Sequence, residues 1–184
     1  MYLAILLLKL HTFFSCPVNM KSFVLSMMFM VLFIESQVSA DLIDDTCNKT
    51  PFYNLCVTTL RSDPQSSKAD VQGLARIAAI KLQDKATSTK NQINDLLRGK
   101  TDPKLKGALN ICADAYNIIV KYDISVIIGA ITKGNPKFAE EYAIDLTKEA
   151  DKCGKGISGS PLASNNKFVH DLSDVVLFIV RLLL

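Results

Sequence analysis

Gly134-Asn135-Pro136-Lys137-Phe138-Ala139-Glu140-Glu141 decides how this chain folds, because a long helical pattern stops there, turns and restarts. Asn135 reads as an N-cap and Pro136 as the first helical residue, since proline has no N–H to satisfy and its φ is already helical. Lys137 then sits where a helix shows its positive end, so it opposes the macrodipole. A residue that works against local stability points to a role outside the fold. A stiff corner presenting a cation and an aromatic ring, Lys137 and Phe138, suits an acidic pocket on another molecule. It reads as a bait and not as a reaction centre.

Working outward from this corner, apolar residues recur at the three-four spacing that places them on one helix face. The spacing predicts a first helix from Asp70 to Leu97, with Val71, Leu74, Ala78, Leu82, Ala86, Ile93 and Leu96 on its stripe. Gly99 and Asp102-Pro103 end it and cap the next. The second runs from Pro103 to Lys133 and carries Leu105, Leu109, Cys112, Tyr116, Ile119, Tyr122, Val126 and Ala130. The third runs from Pro136 to Cys153 with Ala139, Tyr142, Leu146, Ala150 and Cys153 in phase. After a loop holding Gly154, Gly156, Gly159 and Pro161, the residues Phe168, Leu172, Val175, Ile179 and Leu182 line a fourth. Four helices on short loops imply an all-α, up-down-up-down four-helix bundle. Ahead of them, Asp41 to Asp63 reads as a short helical hairpin cut off by Ser62-Asp63-Pro64, too short to hold without a crosslink or a neighbour.

The first forty residues read as an address. Met20-Lys21 opens a basic region, Phe23 to Ile34 is an apolar run, and Val38-Ser39-Ala40 is a small-residue cleavage site that starts the mature chain at Asp41. The run falls short of the roughly 20 residues that a spanning helix needs. Met1 to Asn19 is either an extension of the leader or upstream of the true start at Met20. Removing the leader takes Cys16 with it and leaves Cys47, Cys56, Cys112 and Cys153, an even set that implies disulfides in a secreted chain. Cys112 lies 22 residues before Gly134 and Cys153 lies 18 after Asn135, so an antiparallel pair of helices brings them to similar heights. That geometry favours Cys112 with Cys153, and leaves Cys47 with Cys56 across the turn-prone Asn48-Lys49-Thr50-Pro51.

Residues 41 to 184 make one domain long enough to bury a core. The full chain carries 21 Lys and Arg against 18 Asp and Glu; without Lys9, Lys21 and Glu35 the balance is 19 to 17, with no basic run, so nothing points to nucleic acid. Catalytic patterns are missing. His170, beside Asp171, is the one histidine after the leader and has no serine elbow or spare thiol to serve. Zinc would need cysteines that the disulfides consume, and no metal or cofactor is expected. Gly154-Lys155-Gly156 lacks the third glycine of a dinucleotide fingerprint. Glu140 and Glu141, as adjacent helical residues, point about 100° apart and read as dipole partners, not as paired catalytic acids. Asn48-Lys49-Thr50 is a glycosylation acceptor followed directly by Pro51. The apolar end, Val175 to Leu184, contains Arg181 and is too short for a membrane span, so it reads as a final helix buried on several sides and not as an anchor.

Several of these stretches resemble the plant invertase inhibitors, within the group that includes the pectin methylesterase inhibitors. The resemblance spans Asp41 to Leu184. It rests on Thr46-Cys47 to Cys56, on Asp102-Pro103-Lys104-Leu105-Lys106 with Cys112-Ala113-Asp114-Ala115-Tyr116, and on Pro136-Lys137-Phe138-Ala139-Glu140-Glu141 leading to Cys153. Ser160-Pro161-Leu162 and Asn166-Lys167 to His170-Asp171-Leu172-Ser173 also look like that group's last loop and helix. The Pro136-Lys137-Phe138 signature resembles the invertase-directed branch. After Cys153 the chain departs from the pattern, with Gly154-Lys155-Gly156-Ile157 in place of a glutamate and a terminal aromatic.

The resemblance implies a disulfide-stapled bundle without catalytic groups of its own. It would be secreted to the cell wall or the vacuole, and would block the substrate cleft of a plant acid invertase. Lys137 would meet the cleft carboxylates, Phe138 would anchor on the rim, and Pro136 would supply stiffness. Inhibition of pectin methylesterase on the same scaffold is the neighbouring reading. A helical carrier of an apolar ligand and a signalling bundle that binds a receptor are more distant ones.

Overall fold

The computed structural model describes residues 42–184 together with Ser26. Apart from Ser26, the expected leader, its apolar run and its cleavage at Ala40 lie outside the described residues. Residues 42–47 are helical, followed by α1 (Tyr53–Arg61), a 3-10 turn (Pro64–Lys68) and α2 (Val71–Arg98). Then come α3 (Pro103–Ile118), a π turn (Ile119–Asp123), α4 (Ile124–Thr132), α5 (Pro136–Gly154) and α6 (Ala163–Arg181). Three of the starts are capped as their sequences dictate. The Asp70 carboxylate accepts from the Gly73 N–H at 2.8 Å, Asp102 accepts from Lys104 at 2.9 Å, and Asn135 accepts from Phe138 at 3.3 Å.

The long helices close a ring. α2 packs on α3–α4 and on α6, and α5 packs on α3–α4 and on α6. Leu74, Leu82, Ile93, Leu109, Ile119, Ile127, Leu146 and Val175 are fully enclosed between them. Burying each such side chain contributes about 1.5–3 kcal/mol against the entropy of ordering the chain. Both expected disulfides are present, Cys47–Cys56 and Cys112–Cys153, with Cα separations of 5.5 and 4.4 Å. The second joins α3 to α5 across the corner, which requires those two helices to run antiparallel. A buried polar relay lies close by. The Tyr116 hydroxyl donates to Asn166 Oδ1 at 3.0 Å and Asn166 Nδ2 donates to the Ala150 carbonyl at 3.0 Å, tying α3, α6 and α5 together.

The N-terminal hairpin folds onto its own bundle, with α1 against α2 and α6. Asp44 binds Arg61 Nη2 at 2.8 Å and accepts from the Tyr53 hydroxyl at 3.1 Å, closing the hairpin beside its disulfide. Lys81 reaches Asp63 at 3.3 Å from α2. Asn48 is exposed, whereas Thr50 of the same acceptor sequence is buried and donates its hydroxyl to the Cys47 carbonyl at 2.9 Å.

One expectation about the second helix fails. Its periodicity predicts a continuous helix with Tyr122 and Val126 facing the core, but five residues wind as a π turn and add a residue to the register. Tyr122 is therefore 63% exposed, Val126 is half-buried, and Asp123 and Ile127 take the inward positions. Asp123 is 4% exposed, and its Oδ2 has no hydrogen-bond partner among the described residues. Burial, followed by the negative charges of Glu149 and Asp145 on α5, raises its pKa from 3.8 to about 6, against a smaller opposing pull from Lys152.

A carboxyl whose folded pKa lies above its unfolded one favours the folded state in its neutral form. The penalty is absent below the unfolded value, grows between pH 4 and 6, and is complete above the folded value. The shift alone corresponds to about 3 kcal/mol, which solvent screening reduces to about 1 kcal/mol. Asp123→Asn is therefore expected to raise the thermal midpoint by about 2–4 °C at pH 7 and to leave it nearly unchanged at pH 4. Thermal melts at the two pH values check this. An equal gain at both would sink the assignment.

The fourth helix starts at Ala163, directly after the loop that holds Pro161. Leu162 is fully buried at its start, and the Ser160 hydroxyl accepts from the Leu162 N–H at 3.3 Å. Phe168 and Leu182, expected in the core, are 38% and 37% exposed. Phe168 instead lies under the Lys85 ammonium at 5.0 Å. The departure at Gly154-Lys155-Gly156-Ile157 has a packing reason. A Cβ on Gly156 would sit 2.7 Å from the Ala108 Cβ, so glycine lets this loop close on α3 while Ile157, 1% exposed, plugs the gap.

Candidate functional site

The corner between α4 and α5 is built by three local devices. Gly134 adopts φ +69°, a conformation that side chains disfavour, and reverses the chain immediately after α4. The Asn135 N–H donates to the Ala130 carbonyl at 2.9 Å, which seals the end of α4, and Gln72 Nε2 donates to the Ile131 carbonyl at 2.6 Å from the start of α2. Pro136 then occupies the first helical position of α5. The corner is thus pinned on both sides. Its outer surface carries Lys137, with 67% of its side chain exposed, and Phe138, 43% exposed, while Pro136 is half-buried beneath them.

Sequence reasoning presents Lys137 as a cation offered to another molecule and names no partner for it within the chain. Its Nζ lies 2.6 Å from Glu140 Oε2, one turn along the same helix. Glu140 is itself nearly buried, and its other oxygen accepts from Arg181 Nε at 2.8 Å, at the end of α6. The hydrogen bond from Lys137, then that from Arg181, holds the Glu140 carboxyl below its usual range, and the bond to Glu140 raises the Lys137 ammonium above its own. The lysine is therefore charged, tethered at one of its three donors, and open to solvent elsewhere. Phe138 does not staple inward. It meets Tyr142 edge-on with ring centroids 5.0 Å apart, so the two rings form an aromatic ledge along the start of α5.

The other polar clusters are committed to structure. Glu140 is held by two cations and Glu141 is exposed next to it, so the two do not share a site. His170 Nδ1 lies 3.2 Å from Asp171 and Nε2 lies 3.3 Å from Asp151, which occupies both ring nitrogens with carboxylates, and Ser173 turns its hydroxyl to the His170 carbonyl at 2.6 Å. Cys47, Cys56, Cys112 and Cys153 are all oxidised to disulfides. Among the described residues no cluster of His, Cys, Asp and Glu is arranged to hold a metal ion, and no helix is long and apolar enough to cross a membrane. Arg181 is the participant that sequence reasoning missed. It lies 41 residues from Glu140, and no local spacing signals their pairing.

Known proteins place this scaffold. The chain is 44% identical over 135 residues to the cell wall / vacuolar inhibitor of fructosidase 1 of Arabidopsis thaliana, covering 73% of this chain and 65% of that protein. It is 30% identical over 174 residues to a pectinesterase inhibitor of Actinidia deliciosa, covering 88% of this chain and 94% of the relative. A crystal structure of a mutant form of a pectin methylesterase inhibitor from Arabidopsis superposes with a TM-score of 0.66 at 21% identity, covering 73% of this chain and 92% of that one, which speaks for the fold. The sequence profile described as plant invertase/pectin methylesterase inhibitor matches residues 41–179, a span that takes in both disulfides and the corner. With its helices and its crosslinks agreeing with that match, the chain belongs to the plant invertase/pectin methylesterase inhibitor family.

Proposed function

We propose that this protein is a secreted inhibitor of a plant acid invertase, acting in the cell wall or the vacuole, and that the corner at Pro136, Lys137 and Phe138 enters the enzyme's substrate cleft. The observation that carries the reading is the exposed ammonium of Lys137 at a pinned corner, on the same first turns of α5 that carry the Phe138–Tyr142 ledge. A retaining glycosidase holds two carboxylates about 5–5.5 Å apart, and a cleft so lined attracts a cation. Pro136 and the Gly134 turn restrict the loop before docking, so little ordering entropy opposes association. Similarity to an Arabidopsis inhibitor of fructosidase supports the choice of enzyme class.

The pectinesterase inhibitor of Actinidia is also similar over nearly all of its length, and pectin methylesterase is the alternative target. Titration of purified, oxidised residues 41–184 against a plant acid invertase and a plant pectin methylesterase at mildly acidic pH decides between them. Stoichiometric loss of sucrose hydrolysis, with the esterase untouched, is the expected result. Inhibition of the esterase alone would transfer the protein to the other target.

A further inference from the structure

The Lys137–Glu140 pair creates an electrostatic difficulty for any cation bait. A lysine bonded to a carboxylate is a neutral pair, and a nearly buried carboxylate 2.6 Å behind the tip would repel an acidic cleft. Arg181 resolves it. Its Nε donates to the second oxygen of Glu140 at 2.8 Å, from a different helix, and its guanidinium is steadied over the Phe178 ring at 5.4 Å. The three directly bonded groups then carry a net charge of +1, while Glu141 adds a weaker, solvent-facing attraction to Lys137.

We infer that Arg181 is a positioning residue for inhibition: by neutralising Glu140 it lets that carboxylate aim Lys137 without cancelling the positive charge the corner presents. Glu140 orients, Arg181 compensates, and Lys137 engages the partner. The arrangement joins the end of the chain to the corner, so the final helix contributes to binding without lining the tip. The inference rests on the reading of Lys137 given above.

The test is a cycle of inhibition constants against acid invertase, with melting temperatures recorded alongside. Arg181→Gln is expected to weaken inhibition about fivefold, because it leaves Glu140 to cancel Lys137. Arg181→Lys, which keeps the charge, should recover most of that loss. The double change Arg181→Gln with Glu140→Gln should return to within about twofold of the native value, since no carboxylate then needs compensation and the introduced amide oxygen still accepts from Lys137. A double variant as weak as Arg181→Gln alone would show Arg181 touching the partner directly and overturn the inference, as would full potency of Arg181→Gln. If instead Lys137→Ala inhibits as well as the native protein, the corner reading itself is wrong and this inference falls with it. Arg181 is 41% exposed at a helix end, so its substitution leaves the core intact.

Discussion

Replacing Cys112 and Cys153 together by alanine is expected to lower the stability of the domain by about 4 kcal/mol. The bridge closes a 41-residue loop, and releasing a loop of that length returns to the unfolded chain an entropy of about that size. Both cysteines are essentially inaccessible in the core, so the loss of their packing adds to the effect. A domain of this size has a total stability of about 5–15 kcal/mol, and the variant should retain only part of it. Urea titrations of the two proteins give the difference directly. The Cys47–Cys56 bridge spans nine residues and should matter less, at about 2–3 kcal/mol. A midpoint unchanged on removal of the long bridge would mean that helix packing alone fixes the register of α3 and α5.

Lys137→Ala is expected to weaken inhibition of acid invertase at least tenfold while leaving the circular dichroism spectrum unchanged. The two outcomes separate because the side chain is 67% exposed and stands outside the core, so its removal costs the fold little. Moreover the substitution leaves Glu140 paired with Arg181, which prevents an uncompensated carboxylate from distorting α5. Lys137→Arg is informative beside it. A planar guanidinium keeps the charge but not the compact three-donor head, and a partial loss is expected if the cleft is shaped for an ammonium. Potency unchanged in Lys137→Ala would remove the lysine from the mechanism.

Most of the bundle was legible because helix boundaries in this chain are written in residue chemistry. Asp70, Asp102-Pro103 and Asn135-Pro136 mark starts to within a residue, and the stripe from Leu74 to Ile93 is buried as its spacing requires. The pairing of the cysteines followed from heights measured along two helices. The π turn was not legible, because Ile119 to Asp123 differs in no compositional way from an α-helical turn. At the start of α6 no capping side chain marks the boundary, and buried Leu162 holds that end.

The corner was legible as a shape and misread as a charge. Pro136, Lys137 and Phe138 stand where the turn puts them, but Glu140 reads from sequence as a partner of the helix dipole although it is three residues from Lys137, the distance at which opposite charges meet on a helix. Its second partner, Arg181, depends on the docking of α6 against α5. Long-range pairings of that kind have no signature in a single sequence.

The extra residue wound into the chain at Ile119–Asp123 has one more consequence. One residue of helix is worth about 100° of rotation, so this insertion sets the azimuth of everything between it and the bend, in the way a shim sets the bearing of a tool. Relatives that gained or lost a single residue there would swing the same tip toward a different compass direction while keeping every tip side chain. A change of target on a common scaffold then needs only altered winding in the turn that ends at Asp123, well upstream of Pro136, with no change at the point of contact.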